Sequence, residues 1–222
     1  MAKHRLRFTK TGCAKYLSHL DLMRTIQRVF ARSGVAVKHT EGFNPHAYVS
    51  VALPLSVGME SICELLDFEL TDDTPLADLP ALLTRNMPEG ITVLEAYEAQ
   101  TKLKDIAFLR VHGTLIYDAP TDITEIAAKL SNFFTQASIP VKKLNKKKQE
   151  TKVDIIPLVR EITYTPNGAH QVQIEAVIAA QNPGVNPNLL IEALQQHKPE
   201  ILPDFVVFSR EQVYTKDMQV FR

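Results

Sequence analysis

The chain has 222 residues, enough for one large domain or two domains of ordinary size. Hydrophobic residues make up 45% of the sequence and charged residues 23%, which are globular values that exclude wholesale disorder. No segment has the length and apolarity of a membrane span or a signal region, so we expect a cytoplasmic protein with no membrane partner. The two cysteines, Cys13 and Cys63, are too few to ligate an iron–sulfur cluster or a thiolate metal site alone.

The net charge of zero conceals a strong segregation of charge along the chain. Residues 1–50 contain nine Lys/Arg and two acids, a net charge of +7, whereas residues 51–100 contain one Arg and ten acids, a net charge of −9. A second basic run, residues 142–152, has six lysines and one acid. This pattern predicts a positive face for phosphates or an acidic partner. Alternatively, the two oppositely charged segments neutralise each other across a sheet.

The first hundred residues show patterns of strand, helix, strand, strand, helix and strand. Polar and apolar residues alternate over Arg5–Thr9, which predicts a strand with one face toward a core. Ser18, followed by Asp21 three residues later, predicts a capped helix that ends at Gly34. The remaining predicted elements are strands beginning at Val49, Cys63 and Ile91 and a short helix after Asp78.

The same order recurs after the polar stretch 100–105. The predicted elements are strands at Leu109–Ile116, Lys152–Leu158, Gln171–Ile178 and Phe205–Phe208, and helices capped at Thr121 and Asn186. We therefore predict an α+β fold of two tandem ferredoxin-like modules, each a split βαβ unit with an antiparallel sheet. The predicted modules cover residues 1–100 and 106–222.

One sheet face of the first predicted module is a candidate surface for RNA. In a split βαβ unit the helices cover one face and leave the other free, and common binders of single-stranded RNA use that free face. The alternation places Arg5 and Arg7 there, near Tyr48. Cations for phosphate and an aromatic ring for stacking suit this use. Asp67 and Glu69 share the face and repel phosphate, so a merely solvated face is the alternative.

A second basic surface is predicted on the first helix. Its three arginines recur at every fourth position and form a ridge along one helical face. The lysine-rich run could form a phosphate-binding hairpin, or simply a solvated surface loop. The full set of residues predicted to bind substrate or phosphate is Arg5, Arg7, Arg24, Arg28, Arg32, Lys38, Asn44, Tyr48, Lys146, Lys147 and Lys148.

A catalytic alternative rests on His19, Asp21 and His46. An imidazole titrates near neutrality and a neighbouring carboxylate can fix its tautomer, so these groups could act as general acid and base. Their structural alternative is that Asp21 caps the helix and both histidines bond to backbone. The sequence lacks the common phosphate-cradling, serine-hydrolase and zinc-protease motifs, and we predict no metal site.

Three motifs carry a family resemblance. They are Tyr-Leu-Ser-His-Leu-Asp at 16–21, Glu-Gly-Phe-Asn-Pro-His at 41–46 and Leu-Pro-Leu-Ser-Val-Gly-Met-Glu-Ser at 53–61. Together they resemble the bacterial radical-SAM-linked family, a domain of unknown function fused to or encoded beside a cobalamin-binding radical-SAM protein. The lysine-rich segment leading to Asp154 is similar to the second module of that family. One departure is Ala47-Tyr48, where the family has a proline and a basic residue, which weakens a phosphate contact at that position.

The resemblance implies a radical-SAM protein as partner. That partner would carry the iron–sulfur cluster, S-adenosylmethionine and cobalamin, with no cofactor on this chain. Our first hypothesis is an accessory module that binds RNA or another phosphate-rich substrate and presents it to the partner. The alternatives are a scaffold that docks onto the partner through protein contacts alone, and an enzyme that acts on RNA through His19, Asp21 and His46.

Overall fold

A computed structural model describes residues 3–118, 122–144, 150–181 and 183–222 of the chain. The chain divides into two compact units. The first unit comprises Met1–Asp105 together with Val220–Arg222, and the second comprises Ile106–Gln219. Both units combine helices with antiparallel strands, which confirms the mixed α+β class. Every helix in the described ranges is too short or too polar to span a lipid bilayer.

The first unit has the element order strand, helix, strand, strand, helix, strand. The bounds are β1 His4–Lys10, α1 His19–Ser33, β2 Val49–Val51, β3 Glu60–Phe68, α2 Leu79–Thr84 and β4 Val93–Glu98. The strand order is β4-β1-β3-β2, and each of these pairs is antiparallel. Neighbours in the sheet are therefore mostly not neighbours in the chain.

The core of the first unit joins the inward side of β1 and β3 to the apolar stripe of α1. On β1 the alternating residues Leu6 and Phe8 are buried, because successive side chains of a strand point to opposite faces. The stripe of α1 consists of Leu22, Ile26, Val29 and Phe30, all buried in the same cluster. This helical spacing is the one that the sequence predicts.

The helix α1 begins and ends at the predicted residues. The Ser18 hydroxyl accepts a hydrogen bond from the backbone N–H of Asp21 at 3.2 Å and donates one to the Asp21 carboxylate at 2.7 Å. Gly34 follows the helix with a φ of 73°, a left-handed conformation that costs glycine little. These contacts fix the first turn, where His19 and Asp21 lie.

The cap gives a first testable prediction. Substitution Ser18→Ala removes the acceptor for the Asp21 N–H and should lower the free energy of unfolding by about 1 kcal/mol. Urea titration followed by circular dichroism measures this change. Ser18→Asn, which keeps an acceptor oxygen, should stay near the wild-type value, and equal losses in both variants would argue against the capping role.

The second unit repeats this element order and adds a hairpin. The bounds are β5 Phe108–Ile116, α3 Ile123–Phe133, β6 Pro140–Leu144, β7 Glu150–Asp154, β8 Val159–Asn167, β9 Gln171–Ala179, α4 Asn188–His197 and β10 Phe205–Tyr214. The main sheet has the order β10-β5-β9-β8 with antiparallel pairs. Strands β6 and β7 pair with each other in a separate two-stranded sheet.

The second unit differs from prediction between residues 150 and 170. The sequence predicts one strand over Lys152–Leu158, but β7 ends at Asp154 and belongs to the hairpin. The sheet strand is β8, which the hydrophobic pattern does not indicate, because most of its residues are exposed or half-buried at an edge. It also contains Pro166, which argues against a strand in general but is tolerated at an edge.

The sheet face of the first unit that points away from its core is not open around Arg5. Arg5 is fully buried, and its guanidinium carbon lies 4.6 Å from the ring centroid of Phe221. Arg222 reaches Glu95, with 2.8 Å between Nη2 and Oε2, and its guanidinium carbon lies 4.7 Å from the ring centroid of Tyr97. The expectation that this face is free is therefore corrected at Arg5, since residues 221–222 cover this part of the sheet.

Candidate functional site

The arginine ridge, defined as Arg24, Arg28 and Arg32, is exposed along α1. The Arg24 side chain is 65% exposed, and its Nη1 lies 3.4 Å from Oδ1 of Asp21. The Arg32 guanidinium donates to the backbone oxygen of Asn86 at 2.9 Å. A backbone carbonyl leaves the charge of a guanidinium uncompensated, so the ridge presents cationic groups to solvent.

Arg5 has a structural role instead of the predicted phosphate contact. Its Nε and Nη2 donate to the two carboxylate oxygens of Asp67 at 2.6 and 3.0 Å, and Nη2 also donates to the backbone oxygen of Thr101 at 3.0 Å. Such a bidentate pair is geometrically specific and strong. Because the guanidinium is buried and bonded on both sides, it has no surface to offer a phosphate.

Much of the basic segment 1–50 is paired with the acidic segment 51–100. Besides Arg5–Asp67, the ion pairs that connect the two segments include Arg7 with Glu95, Lys15 with Glu60 and Lys38 with Glu69, each at 3.1 Å. The alternative raised from the sequence was that the two oppositely charged segments neutralise each other. These ion pairs show that a large part of their charge is neutralised in this way. The arginine ridge stands apart, because among the described residues its ion pairing is limited to the weak, exposed contact within α1.

The predicted catalytic residues lie on two separate segments. His19 is the first residue of α1 and is exposed, and the Asp21 carboxylate accepts from Ser18 at the cap. His46 lies in an exposed loop, with Nδ1 3.3 Å from the Thr40 hydroxyl and 3.2 Å from the backbone oxygen of Asn44. No hydrogen bond or ring contact joins His19 to His46 in the described residues, where no group of metal-ligating side chains occurs either.

The residue before the first family motif is bonded to the third motif. The backbone N–H of Gly58 donates to the backbone oxygen of Lys15 at 3.0 Å, and the Lys15 ammonium pairs with Glu60. The buried ammonium of Lys10 also donates to the Lys15 oxygen, at 3.1 Å. These bonds hold residue 16, where the first motif begins, beside the loop of the third motif. The third motif therefore supports the segment that leads into α1.

Lys38, Tyr48 and Asn44 lie around the second motif. The Lys38 ammonium lies 5.6 Å from the ring centroid of Tyr48 while it pairs with Glu69. Asn44 is exposed at the tip of the loop, where the adjacent aromatic residue Phe43 is fully exposed. Sequence reasoning did not single out Phe43, because nothing in the pattern distinguishes an exposed loop phenylalanine from a buried one.

The predicted phosphate contacts Lys146, Lys147 and Lys148 lie outside the described residues. Further along the chain, Asp154 at the end of β7 has a clear structural role. Its Oδ1 accepts from the backbone N–H groups of Ile139 at 3.0 Å and Ile156 at 3.2 Å. The hydrogen bond from Ile139 is the largest cause that lowers the pKa of Asp154, and the one from Ile156 adds to it, because both favour the charged form. Asp154 thus anchors the base of the hairpin.

Comparison with known proteins now gives the family. The sequence pattern of the family described as "Uncharacterized protein conserved in bacteria (DUF2344)" matches residues 3–187. The chain belongs to the DUF2344 family. The match of this DUF2344 chain includes all three motifs and the arginine ridge. No curated protein matches it in sequence.

Solved structures show a distant likeness to this DUF2344 chain. A chain of a Cbf5-Nop10-Gar1 complex is similar over 95% of this chain, with a TM-score of 0.52 and 8% identity. This chain spans about half, 48%, of that chain. An unknown protein from Galdieria sulphuraria matches 95% of this chain and 97% of its own at 10% identity, with a TM-score of 0.27. Only the first likeness is informative, because its TM-score is above 0.5. At 8% identity it supports the mixed α+β fold alone.

Proposed function

We propose that this chain is an accessory module that binds RNA, or another phosphate-rich substrate, and presents it to a radical-SAM enzyme. The observation that carries the proposal is the arginine ridge. Its three side chains are exposed at every fourth residue of one helix, whereas most other cations of residues 1–50 pair with acids of the same unit. Guanidinium groups in a row suit the repeated phosphates of a strand.

The strand orders support the proposal that each unit is a ferredoxin-like module. In both units the first strand lies between the third and the fourth, and the second strand lies beside the third, if the hairpin β6–β7 is treated as an insertion. A split βαβ unit has this connectivity. The ridge lies on the exposed side of α1, away from its buried stripe, where a strand of nucleic acid could reach it.

The radical-SAM partner is proposed from the motif resemblance. The chain has only two cysteines, and Cys63 is buried on β3 while Cys13 is exposed. An iron–sulfur cluster needs more thiolates than this chain supplies. The proposal therefore assigns the cluster, S-adenosylmethionine and cobalamin to the partner, and substrate binding to this chain.

A protein-only docking scaffold is the second candidate function. The observation that favours it is a pair of exposed apolar side chains that precede the ridge in the chain, Leu20 one turn before Arg24 on α1 and Tyr16 just before the helix. Apolar groups beside cations are common at protein interfaces, where aromatic residues and arginine are enriched. An acidic surface on the partner would complement this combination. Co-purification with the radical-SAM partner that survives nuclease treatment would favour this scaffold over the RNA-binding module.

The proposal is tested by charge removal on the ridge. We expect the triple variant R24Q/R28Q/R32Q to bind single-stranded RNA more weakly at low salt. Three lost phosphate contacts should reduce the slope of log K against log salt by about 2. Fluorescence anisotropy at several salt concentrations measures both quantities.

The matched control removes three exposed cations from the second unit, in the variant R110Q/R160Q/K198Q. It has the same net charge as the ridge variant, so it separates a specific surface from overall charge. We expect the control to keep most of the wild-type affinity. Equal weakening in both triple variants, or no RNA binding by the wild-type chain at low salt, would reject the ridge as an RNA site.

A further inference from the structure

A cavity of about 490 Å³ lies in the first unit, apart from the arginine ridge. Its volume falls within the range of small-ligand sites. The side chains that matter for its chemistry are Lys3, Tyr48, Asp67, Glu69, Gln100 and Lys102. They come from the segment before β1, the segment that enters β2, the end of β3 with the residue after it, and the segment that follows β4.

Two carboxylates are held in fixed positions at this cavity. Asp67 and Glu69 alternate along the chain, so both side chains point to the same face of the sheet. Arg5 holds both oxygens of Asp67, and Lys38 holds one oxygen of Glu69. Each carboxylate oxygen can accept two hydrogen bonds, so both groups keep acceptor capacity for a ligand. Their cations also reduce the energetic cost of placing negative charge in a confined site.

An aromatic ring forms part of the cavity lining. The Tyr48 side chain is 46% exposed, and the Lys38 ammonium lies over its ring. A planar ring has two faces, and a cation over one face leaves the other able to stack. Stacking on an aromatic ring is how proteins commonly hold a nucleic-acid base.

Two cations complete the lining. Lys3 and Lys102 are both exposed, and both line the same cavity as Asp67 and Glu69. The backbone N–H of Ala99 donates to the Lys3 oxygen at 2.9 Å, which ties the segment after β4 to the start of β1. Ammonium groups at the mouth of a cavity are suited to a phosphate.

From this combination we infer that the cavity binds one nucleotide whose base carries an amino group on its pairing edge. The base stacks on Tyr48, its amino group donates to Asp67 or Glu69, and its phosphate lies near Lys3 and Lys102. A carboxylate accepts from the cytosine amino group but meets only a carbonyl oxygen at the same position of uracil. The inference deepens the proposed function, although a free nucleotide would satisfy the same chemistry as a nucleotide within a bound strand.

Calorimetric titration of the full chain with CMP and UMP tests the ligand class, because these two nucleotides differ only on the pairing edge, where cytosine has a 4-amino group and an unprotonated N3 and uracil has a 4-carbonyl group and an N3–H. We expect CMP to bind about tenfold more tightly than UMP, and the Glu69→Gln substitution to reduce this preference. Equal binding of CMP and UMP to the wild-type chain would overturn the assignment of the carboxylates.

The stacking role is tested by Tyr48→Leu, with Tyr16→Leu as matched control. Tyr16 is also an exposed tyrosine of the first unit with a lysine ammonium over its ring, 5.5 Å from the centroid, but it does not line the cavity. We expect Y48L to weaken CMP binding by tenfold or more and Y16L to leave it unchanged. If Y48L binds CMP as tightly as the wild type, the cavity is not the nucleotide site.

A cytidine-containing single strand distinguishes the two sources of the nucleotide. Loss of strand affinity in Y48L, with no binding of free CMP, assigns the cavity to a nucleotide of the strand. Binding of CMP without binding of the strand assigns it to a free nucleotide and rejects the RNA-binding function while the inference holds. Strand binding that depends on the arginine ridge but is unchanged in Y48L, with no binding of CMP, rejects the inference and keeps the proposed function.

Discussion

Substitution of Arg5 by methionine is expected to lower the free energy of unfolding by about 3–5 kcal/mol, because it leaves the Asp67 carboxylate uncompensated. The side chain of Arg5 is fully buried and that of Asp67 is only 12% exposed, so water cannot readily replace the lost partner. The variant also loses the hydrogen bond to the Thr101 carbonyl and the contact with the Phe221 ring. Urea unfolding followed by circular dichroism measures the loss.

Two further variants separate the ion pair from simple loss of a large side chain. Arg28→Met makes the same chemical change on the exposed face of α1 and should alter stability by less than about 0.5 kcal/mol. The double variant R5M/D67L removes both charges and should recover part of the stability lost in R5M. A double variant less stable than R5M would show that the damage comes from packing and not from the unpaired carboxylate.

Substitution of Gly90 by alanine is expected to lower the free energy of unfolding by roughly 2–5 kcal/mol, through backbone strain and overpacking together. Gly90 has a φ of +86°, which disfavours any residue with a Cβ atom. A Cβ atom there would also lie 2.3 Å from the backbone oxygen of Thr11 and 2.9 Å from the Cβ of Ala14. The Thr11 oxygen is a backbone atom and cannot move away by a side-chain rotation. The whole segment 11–14 would therefore have to shift.

Gly34 provides the matched control, because it has a similar φ of +73° but nothing within 4 Å of the added Cβ. Gly34→Ala should therefore show only the conformational cost, about 1–2 kcal/mol. Thermal unfolding of both variants under identical conditions measures the difference. If G90A were no less stable than G34A, the close approach of Gly90 to Thr11 would have no energetic consequence.

Local sequence signals predicted the elements with strong periodicity. The stripe of α1, its Ser18 cap and its Gly34 end all correspond to interactions within a few residues, so one stretch of sequence contains them. Strand β8 was missed because its pairing with β9 buries few of its own side chains. A signal was nevertheless present, since Asn167-Gly168 joins β8 to β9 and Gly168 has a φ of +64°. Asn-Gly between two extended segments is typical of a tight hairpin.

The candidate site was predictable where exposure follows from helical geometry and unpredictable where it depends on distant residues. Arg24, Arg28 and Arg32 are exposed as their spacing indicates. Arg5 has the same alternation as an outward strand residue, but its burial depends on Phe221, more than two hundred positions away. No local pattern reports such a contact. For the same reason the sequence does not predict the cavity at Tyr48, because its lining comes from four separated segments.

The position of Phe221 and Arg222 in the first unit has a consequence for the order of folding. During synthesis the ribosome completes residues 1–105 before it begins the second unit, yet the residues that cover Arg5 are made only after the second unit. At ordinary elongation rates this delay is roughly ten seconds. Throughout that time the guanidinium of Arg5 has Asp67 and Thr101 as partners but no ring above it. The first unit therefore starts to fold early in translation and reaches its final form only after the second has been synthesised.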